Sequence, residues 1–415
     1  MSSKISNPFA DDRLNRQDYA NGLIKFIKRL DSGVIAIDGE WGVGKSWIGS
    51  RLKQRIDQEK IASTIWIDAF EADWEDDPSL SLVAGIANKI ESANKASWLK
   101  KAAPCLARLI PAGAKVAAQV AANALGINDS IVNDLSGAIK DESSVYIESR
   151  LKDLADRKQT LVHLRNLLTE AVDQSTNKKI VIFVDELDRC SPEYAIRFLE
   201  RLKHLFNVDR VIYVLLWNRA QIQGAVEAFY GIGASGQMYL DKFIDFPVHL
   251  PLSHIRKGTV GPMRSLLESL SGRFNQDEKL ALDENIYWLD AIATLLSLTA
   301  RESEHLARWW VMSPNRNTVG LETWLLGLKV KRPNLFARIR DKKEDAHIEA
   351  RDLLNALSPD ENLKHIVETL VDIHSCYMQD DFDHLSPDTA KFLGGGLSNP
   401  CDALPAAIRR LEAFY

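Results

Sequence analysis

The sequence predicts an α/β fold, a parallel sheet flanked by helices with a helical insert and a helical C-terminal region. Three observations carry this. Four short apolar runs alternate with helical patterns in the first part of the chain, the rhythm of a parallel sheet. A glycine-rich loop follows the first run directly and opens a helix. After Leu252 the strand signals fade and apolar residues recur at helical spacing.

The elements follow in order. The opening segment, MSSKISNPFADDRLNRQ, is polar and mixed in charge, which fits neither a secretory leader nor a transit peptide, and the expected location is cytoplasmic. Strands are predicted at Val34 to Asp38 (VIAID), Thr64 to Asp68 (TIWID), Ile180 to Asp185 (IVIFVD) and Val211 to Trp217 (VIYVLLW). Each is short, rich in β-branched residues and almost continuously apolar, as strands covered on both faces must be. Between the second and third lies a long helical insert containing an alanine-rich stretch from Ala102 to Ile127. That stretch does not read as a membrane span. Arg108 and Lys115 interrupt it, Pro111 and Gly113 break it, and Val116 to Ile127 falls well short of the ~20 apolar residues a span requires. Lys115, Gln119 and Asn123 form one polar stripe on a helix that either packs in the protein or lies on a membrane surface or partner. Beyond Leu252, Trp309, Trp310, Trp324 and many leucines mark helices punctuated by Pro314, Pro333, Pro359 and Pro387. A glycine-rich loop from Gly394 precedes a short amphipathic helix that runs toward Tyr415. The expected organisation is a core of residues 1–86 and 178–252, an insert of 87–177 and a helical domain of 253–415.

Composition narrows the function. At 415 residues the chain exceeds one ordinary domain. Its 46% hydrophobic and 26% charged residues suit a globular protein rather than a disordered one. The 52 basic and 57 acidic residues leave a net charge of −5, so a nucleic-acid-coating role is not indicated. Cys105, Cys190, Cys376 and Cys401 are far apart, with no CxxC pair, which argues against a disulfide framework or structural zinc.

The strongest chemical signal is Gly39-Glu40-Trp41-Gly42-Val43-Gly44-Lys45-Ser46, which fits the pattern GxxxxGK[ST] between a strand and the helix from Ser46 to about Gln58. Backbone N–H groups of such a loop, extended here to Trp47, converge on phosphate oxygens at a helix N-terminus. Lys45 would neutralise the β- and γ-phosphates, and Ser46 would ligate Mg²⁺. The second signal is IVIFVDELDRC, an apolar strand ending in two carboxylates. Asp185 would complete the Mg²⁺ shell, and Glu186 would act as the base for an attacking water. Arg189 in the same turn either contacts phosphate in its own subunit, acts across an oligomer, or pairs with Asp188. Ser191-Pro192 then starts the next helix. If the strand Val211 to Trp217 lies between the loop strand and the acidic strand, Asn218 faces the γ-phosphate and orients water; otherwise it only starts a turn.

These residues resemble the KAP P-loop NTPases. The likeness runs through Asn15-Arg16-Gln-Asp-Tyr19-Ala20, the loop GEWGVGKS, WIDAF (Trp66 to Phe70), VDELDRC, and Tyr239-Leu-Asp-Lys242-Phe on to Pro251. It implies ATP as the nucleotide, an additional-strand ATPase core, a helical C-terminal part and a helical insert, membrane-spanning in many members but lacking a predicted span here. It also implies a nucleotide-sensing arginine near Arg301, while many relatives carry Asp at the position of Asn218. Bacterial relatives are linked to mobile elements and exclusion of phage, which implies anti-phage defence. A protein partner, such as an adjacently encoded effector, is expected at the insert or the helical C-terminal region, with a homo-oligomer if Arg189 acts in trans.

The expected function is therefore a Mg-dependent ATPase that couples ATP binding and hydrolysis to conformational change in a partner assembly. A slow nucleotide-gated switch is the alternative. The DELDR turn and long insert count against a P-loop kinase, and no NKxD element points to guanine. Asn15 to Ala20 either encloses the base or simply starts a helix.

Overall fold

A computed structural model describes residues 7–12, 14, 16–74, 78–90, 94–95, 97–98, 101–102, 105, 148–204, 207–231, 235–250, 276–312, 319–357, 361–379, 389 and 402–412. The stripe of Lys115, Gln119 and Asn123, together with Pro314, Pro359, Pro387 and the loop from Gly394, lies outside them. The chain divides into two compact units. The first comprises Met1–Asp12 and Arg16–Pro251, and the second Arg13–Asn15 and Leu252–Tyr415.

Five parallel strands organise the first unit: β1 (Gly33–Asp38), β2 (Ser63–Asp68), β3 (Ile180–Asp185), β4 (Val211–Trp217) and β5 (Phe246–His249), in the spatial order β2-β3-β4-β1-β5. β3 and β4 are buried along their whole length, as their unbroken apolar sequences require at the centre of a sheet covered on both faces. β4 thus lies between the loop strand and the acidic strand, the extra strand of an additional-strand core. The first two strands begin one residue earlier than expected, at Gly33 and Ser63. β5 was not among the expected strands. It is four residues long, contains Pro247 and alternates in exposure, so it carries no continuous apolar signal, and proline is tolerated there because the strand is an edge.

Register aligns the carboxyl ends. Asp68 pairs with Asp185, Asp185 with Leu216, and Asp38 with Trp217 and His249. Three carboxylates therefore gather along one edge of the sheet, where open α/β folds place their ligands.

Helices cover this sheet. In α1 (Gln17–Arg29), Ala20, Leu23, Ile24 and Ile27 are buried at helical spacing. Arg55 donates to Asn21 at 3.2 Å and Lys28 pairs with Glu59 at 2.8 Å, fastening α1 to α2 (Lys45–Gln58) and the residue that follows it. Ile48, Leu52 and Ile56 of α2 are fully buried, and Gly49 brings that helix hard against β4, where an added Cβ would meet Leu216 Cδ1 at 2.4 Å. α3 (Ser79–Ala87) and α4 (Glu148–Asp173) join the same core through Ile86, Leu164, Leu167 and Leu168, and Trp98 Nε1 donates to the Leu167 carbonyl at 2.7 Å. Among the described residues, no helix is long and apolar enough to cross a membrane.

The described elements of the second unit are helices: α8 (Gln276–Leu295), α9 (Ala300–Met312), α10 (Val319–Lys331), α11 (Pro333–Arg340), α12 (Glu344–Ala356), α13 (Glu361–Gln379) and α14 (Ala403–Glu412). The helices numbered between are α5 (Pro192–His204), α6 (Arg219–Tyr230) and α7 (Gly236–Leu240), all in the first unit. Leu289, Trp310, Trp324 and Ile366 lie in the core of the second unit. α9 begins with a reciprocal cap, the Thr299 N–H donating to Glu302 at 2.7 Å and the Glu302 N–H to the Thr299 hydroxyl at 3.3 Å. This cap accounts for the sequence around Arg301, which is itself exposed in the first turn.

Candidate functional site: the phosphate loop and the acidic strand end

The loop Gly39 to Gly44 leaves β1 and enters α2 with Gly44 in the left-handed region, φ 94° and ψ 33°, a conformation that favours glycine. The Gly39 N–H donates to the Trp217 carbonyl at 3.2 Å, tying the loop's first residue to β4, while the Val43 N–H closes onto the Glu40 carbonyl at 3.3 Å. Val43 packs inward against Gly39, so it offers a ligand backbone rather than side chain. Lys45 is buried, its Nζ 2.7 Å from the Gly39 carbonyl and 3.1 Å from that of Glu40. Burial lowers the pKa of this ammonium, and the carboxylates of Asp188, Asp185, Asp38 and Glu186 oppose that fall. The lysine thus stands among four acids, in reach of whatever occupies the loop.

Ser46 is exposed in the first turn of α2, and its hydroxyl bonds Asp185. The Asp185 carboxyl is nonetheless raised above the usual range, chiefly by burial, with Asp68 and Asp188 adding like charge. A hydroxyl and a carboxylate in contact are hard oxygen donors of the kind Mg²⁺ takes alongside substrate phosphates. Among the described residues, no group of three or more His, Cys, Asp or Glu side chains forms a metal cage. The Ser46 hydroxyl and the Asp185 carboxylate together fit a metal shared with a phosphate tail.

Glu186 follows in an unusual backbone state, φ 61° and ψ 20°, and heads the 3-10 turn Leu187–Arg189. Arg189 Nε contacts Glu186 Oε2 at 2.6 Å. The expected alternative of an Asp188–Arg189 pair is corrected here: Asp188 instead accepts from Trp41 Nε1 at 2.5 Å, because the 3-10 turn brings the side chain three residues back alongside Arg189 and leaves Asp188 facing the loop. Burial raises the Glu186 pKa, and Arg189 opposes the rise. Trp41 is half exposed, whereas Trp47 packs edge-on against Phe9 at 6.0 Å and under Arg51, so of the two loop tryptophans only Trp41 reaches the acidic turn. Ser191, expected as the cap of α5, uses its hydroxyl and its N–H to bind Asp73 at 2.8 and 2.9 Å.

Asn218 lies at the end of β4, nearly buried, and its side chain caps no backbone group of α6. The adjacent Arg219 N–H donates to Asp38 at 2.8 Å, and its guanidinium pairs with Asp241 at 2.5 Å. Lys45, Ser46, Asp185, Glu186, Arg189 and Asn218 are thus carried on neighbouring strand ends and the turns that follow them.

Asp38 and Asp68 were absent from the expected site, and Arg16 was expected only as part of the Asn15 to Ala20 segment that either encloses the base or starts a helix. The acids end predicted strands, so a register argument could have found them. The place of Arg16 beside the loop carries no local signal, because only the docking of α1 brings its Nη1 to 3.5 Å from the Gly44 carbonyl, 28 residues away.

Comparison with known proteins adds kinship. A family model described as the KAP family P-loop domain matches residues 16–302. The chain is 26% identical over 256 residues to the phage T7 exclusion protein of Escherichia coli (strain K12), a match that covers 58% of this chain and 33% of that protein. It spans about a third of the length of that relative. Among solved structures, the ORC2 protein of Aeropyrum pernix in ADPNP–ADP complexes aligns over 96% of this chain and 94% of its own, at 12% identity and a TM-score of 0.33. The family match covers well over half of the sequence, in keeping with the phosphate loop, the parallel sheet and the acidic strand end, and the chain belongs to the KAP family of P-loop NTPases.

Proposed function

We propose that the chain is a Mg-dependent ATPase that couples ATP binding and hydrolysis to conformational change in a partner assembly, in the setting of anti-phage defence. The observation that carries the reading is the grouping of Lys45, Ser46, Asp185 and Glu186 beyond the carboxyl ends of β1 and β3, the two strands that flank β4. Ser46 and Asp185 would hold the metal, which when bound supplies positive charge at the β- and γ-phosphates. Lys45 neutralises the same phosphates. Asn218 orients a water whose oxygen forms a bond to the γ-phosphorus as the bond to the β–γ bridging oxygen breaks. The bridging oxygen keeps that electron pair and departs with ADP, and the water proton passes to the Glu186 carboxylate. ATP in preference to GTP rests on the family. The defence setting rests on the likeness to a phage exclusion protein, and the protein partner, such as an adjacently encoded effector, is part of the proposal itself.

A slow, nucleotide-gated switch is the second reading, favoured by the 2.6 Å contact that ties up Glu186. Phosphate release separates them. Glu186→Gln should bind ATP while losing hydrolysis by about a hundredfold or more, and hydrolysis at the wild-type rate in that variant would overturn the assigned base. A wild-type protein that binds ATP with negligible turnover, alone and with the adjacently encoded protein, would favour the switch.

A further inference from the structure

Arg16 occupies the N-cap position of α1 and is 3% exposed. Its surroundings are firmly built. The Gln17 N–H donates to Asp12 at 2.8 Å, the Arg16 carbonyl accepts from the Ala20 N–H at 2.9 Å, and α1 is fastened to α2 through Asn21 and Lys28. From this support the guanidinium reaches the phosphate loop, with Nη1 3.5 Å from the Gly44 carbonyl. A Cβ placed on Gly44 would stand 2.8 Å from that same nitrogen, so the side chain fills the space beside the last glycine of the loop.

Burial lowers the pKa of the Arg16 guanidinium, and the charge of Asp12 opposes that fall, so the cation is held in place from its own side of the loop. Around the other loop cation, Lys45, four carboxylates already gather. A nucleotide tail adds further negative charge to that edge, and a second cation beside the loop would offset it. The backbone cradle of a phosphate loop takes the α- and β-phosphates, while its lysine reaches toward the γ-phosphate. Gly44 belongs to the cradle.

We propose that Arg16 is a nucleotide-binding residue, a second buried cation that contacts the phosphates common to ADP and ATP from the Gly44 side of the loop. Its fork of N–H donors matches phosphate oxygens in a way that a lysine does not. The proposal rests on the nucleotide reading of the loop.

The test is equilibrium binding of methylanthraniloyl-ADP and methylanthraniloyl-ATP, each with EDTA and with Mg²⁺, to the full chain and to Arg16→Met, Arg16→Lys and Lys45→Ala. The expected result is a loss of about tenfold to a hundredfold for Arg16→Met, alike for ADP and ATP and present in EDTA, with a smaller loss for Arg16→Lys. Wild-type affinity in both Arg16 variants would overturn the proposal while leaving the loop assignment intact if Lys45→Ala binds weakly. A loss confined to ATP would also overturn it, since the contact would then lie at the γ-phosphate. Thermal unfolding without nucleotide is run in parallel, and affinity lost only in step with folding in both variants would assign Arg16 to structure instead. No binding by the wild-type chain would overturn the nucleotide reading and this proposal together.

Discussion

Arg189 Nε lies 2.6 Å from Oε2 of Glu186, the carboxylate proposed as the base, with Glu186 heading the 3-10 turn that Arg189 ends. Glu186 reaches this arrangement with a left-handed backbone that costs a non-glycine residue about 1–3 kcal/mol and that the end of β3 must hold in place. A base engaged by a guanidinium has one oxygen fewer to offer to water.

The consequence for Arg189→Ala is a separation of stability from rate. The Arg189 side chain is 41% exposed, and ion pairs of that kind contribute about 0–1 kcal/mol, so chemical unfolding should scarcely change. Single-turnover hydrolysis without a partner should rise several-fold as Glu186 is released. A fall of about tenfold or more at unchanged nucleotide affinity would place the guanidinium on the transferring phosphate instead.

Much of this site was legible because its central residues are contiguous in sequence. Gly39 to Ser46 and Asp185-Glu186 carry their chemistry as local strings, and the apolar runs of β3 and β4 announce central strands. Three features required the folded chain. β5 hides its strand character in four residues that include Pro247. Arg16 meets Gly44 only through the docking of α1 on α2, which no periodicity encodes. The choice of Glu186 over Asp188 as the partner of Arg189 depends on the turn geometry, since both acids stand close to it in sequence.

Gly49 sets the distance between α2 and the sheet. An added Cβ would meet Leu216 Cδ1 at 2.4 Å and both Leu216 Cδ2 and Trp66 Cη2 at 3.2 Å. Overpacking of this kind costs about 1–3 kcal/mol, against about 1 kcal/mol that alanine gains over glycine within a helix. Gly49→Ala should therefore destabilise the first unit by about 1 kcal/mol in urea unfolding. In a Leu216→Ala background, which removes the obstructing methyl groups, the same change should become neutral or stabilising; an undiminished cost there would locate the strain elsewhere.

The second unit contains a buried histidine pair whose protonation opposes folding. Trp324 Nε1 donates to His374 Nε2 at 3.0 Å, so the proton of neutral His374 sits on Nδ1, 3.0 Å from His347 Nδ1, which then accepts it. Tyr377 stacks on His347 at 5.6 Å. Burial first, and the neighbouring His347 second, push the pKa of His374 down to about 3, while burial also lowers that of His347. In the unfolded chain a histidine titrates near 6.5, so between roughly 6.5 and 3 the unfolded state holds a proton that folded His374 refuses. Its stabilising contribution is complete above about pH 6.5 and declines on acidification, by up to about 1.4 kcal/mol per pH unit. His374→Gln keeps an acceptor for Trp324 without the titration. Urea unfolding of the second unit at several pH values from about 7 to about 5 should show a shallower acid loss in that variant. Equal slopes would remove His374 as the cause.

Asp185 offers a test in which two effects carry opposite signs. Its carboxylate is buried beside Asp68 and Asp188, and the Ser46 hydroxyl is its hydrogen-bond partner. Without metal, this charge repels an incoming phosphate tail, so Asp185→Asn should bind nucleotide in EDTA at least as tightly as wild type. With metal, the same carboxylate is an attractive oxygen donor, and its loss should weaken the Mg²⁺ requirement for tight binding by about tenfold or more. Nucleotide titrations in EDTA and across a Mg²⁺ series separate the two signs, because a purely structural defect would lower affinity in both. A variant with wild-type Mg²⁺ dependence would mean that the metal shell draws on other oxygens, and Asp185 would then serve only to position Ser46.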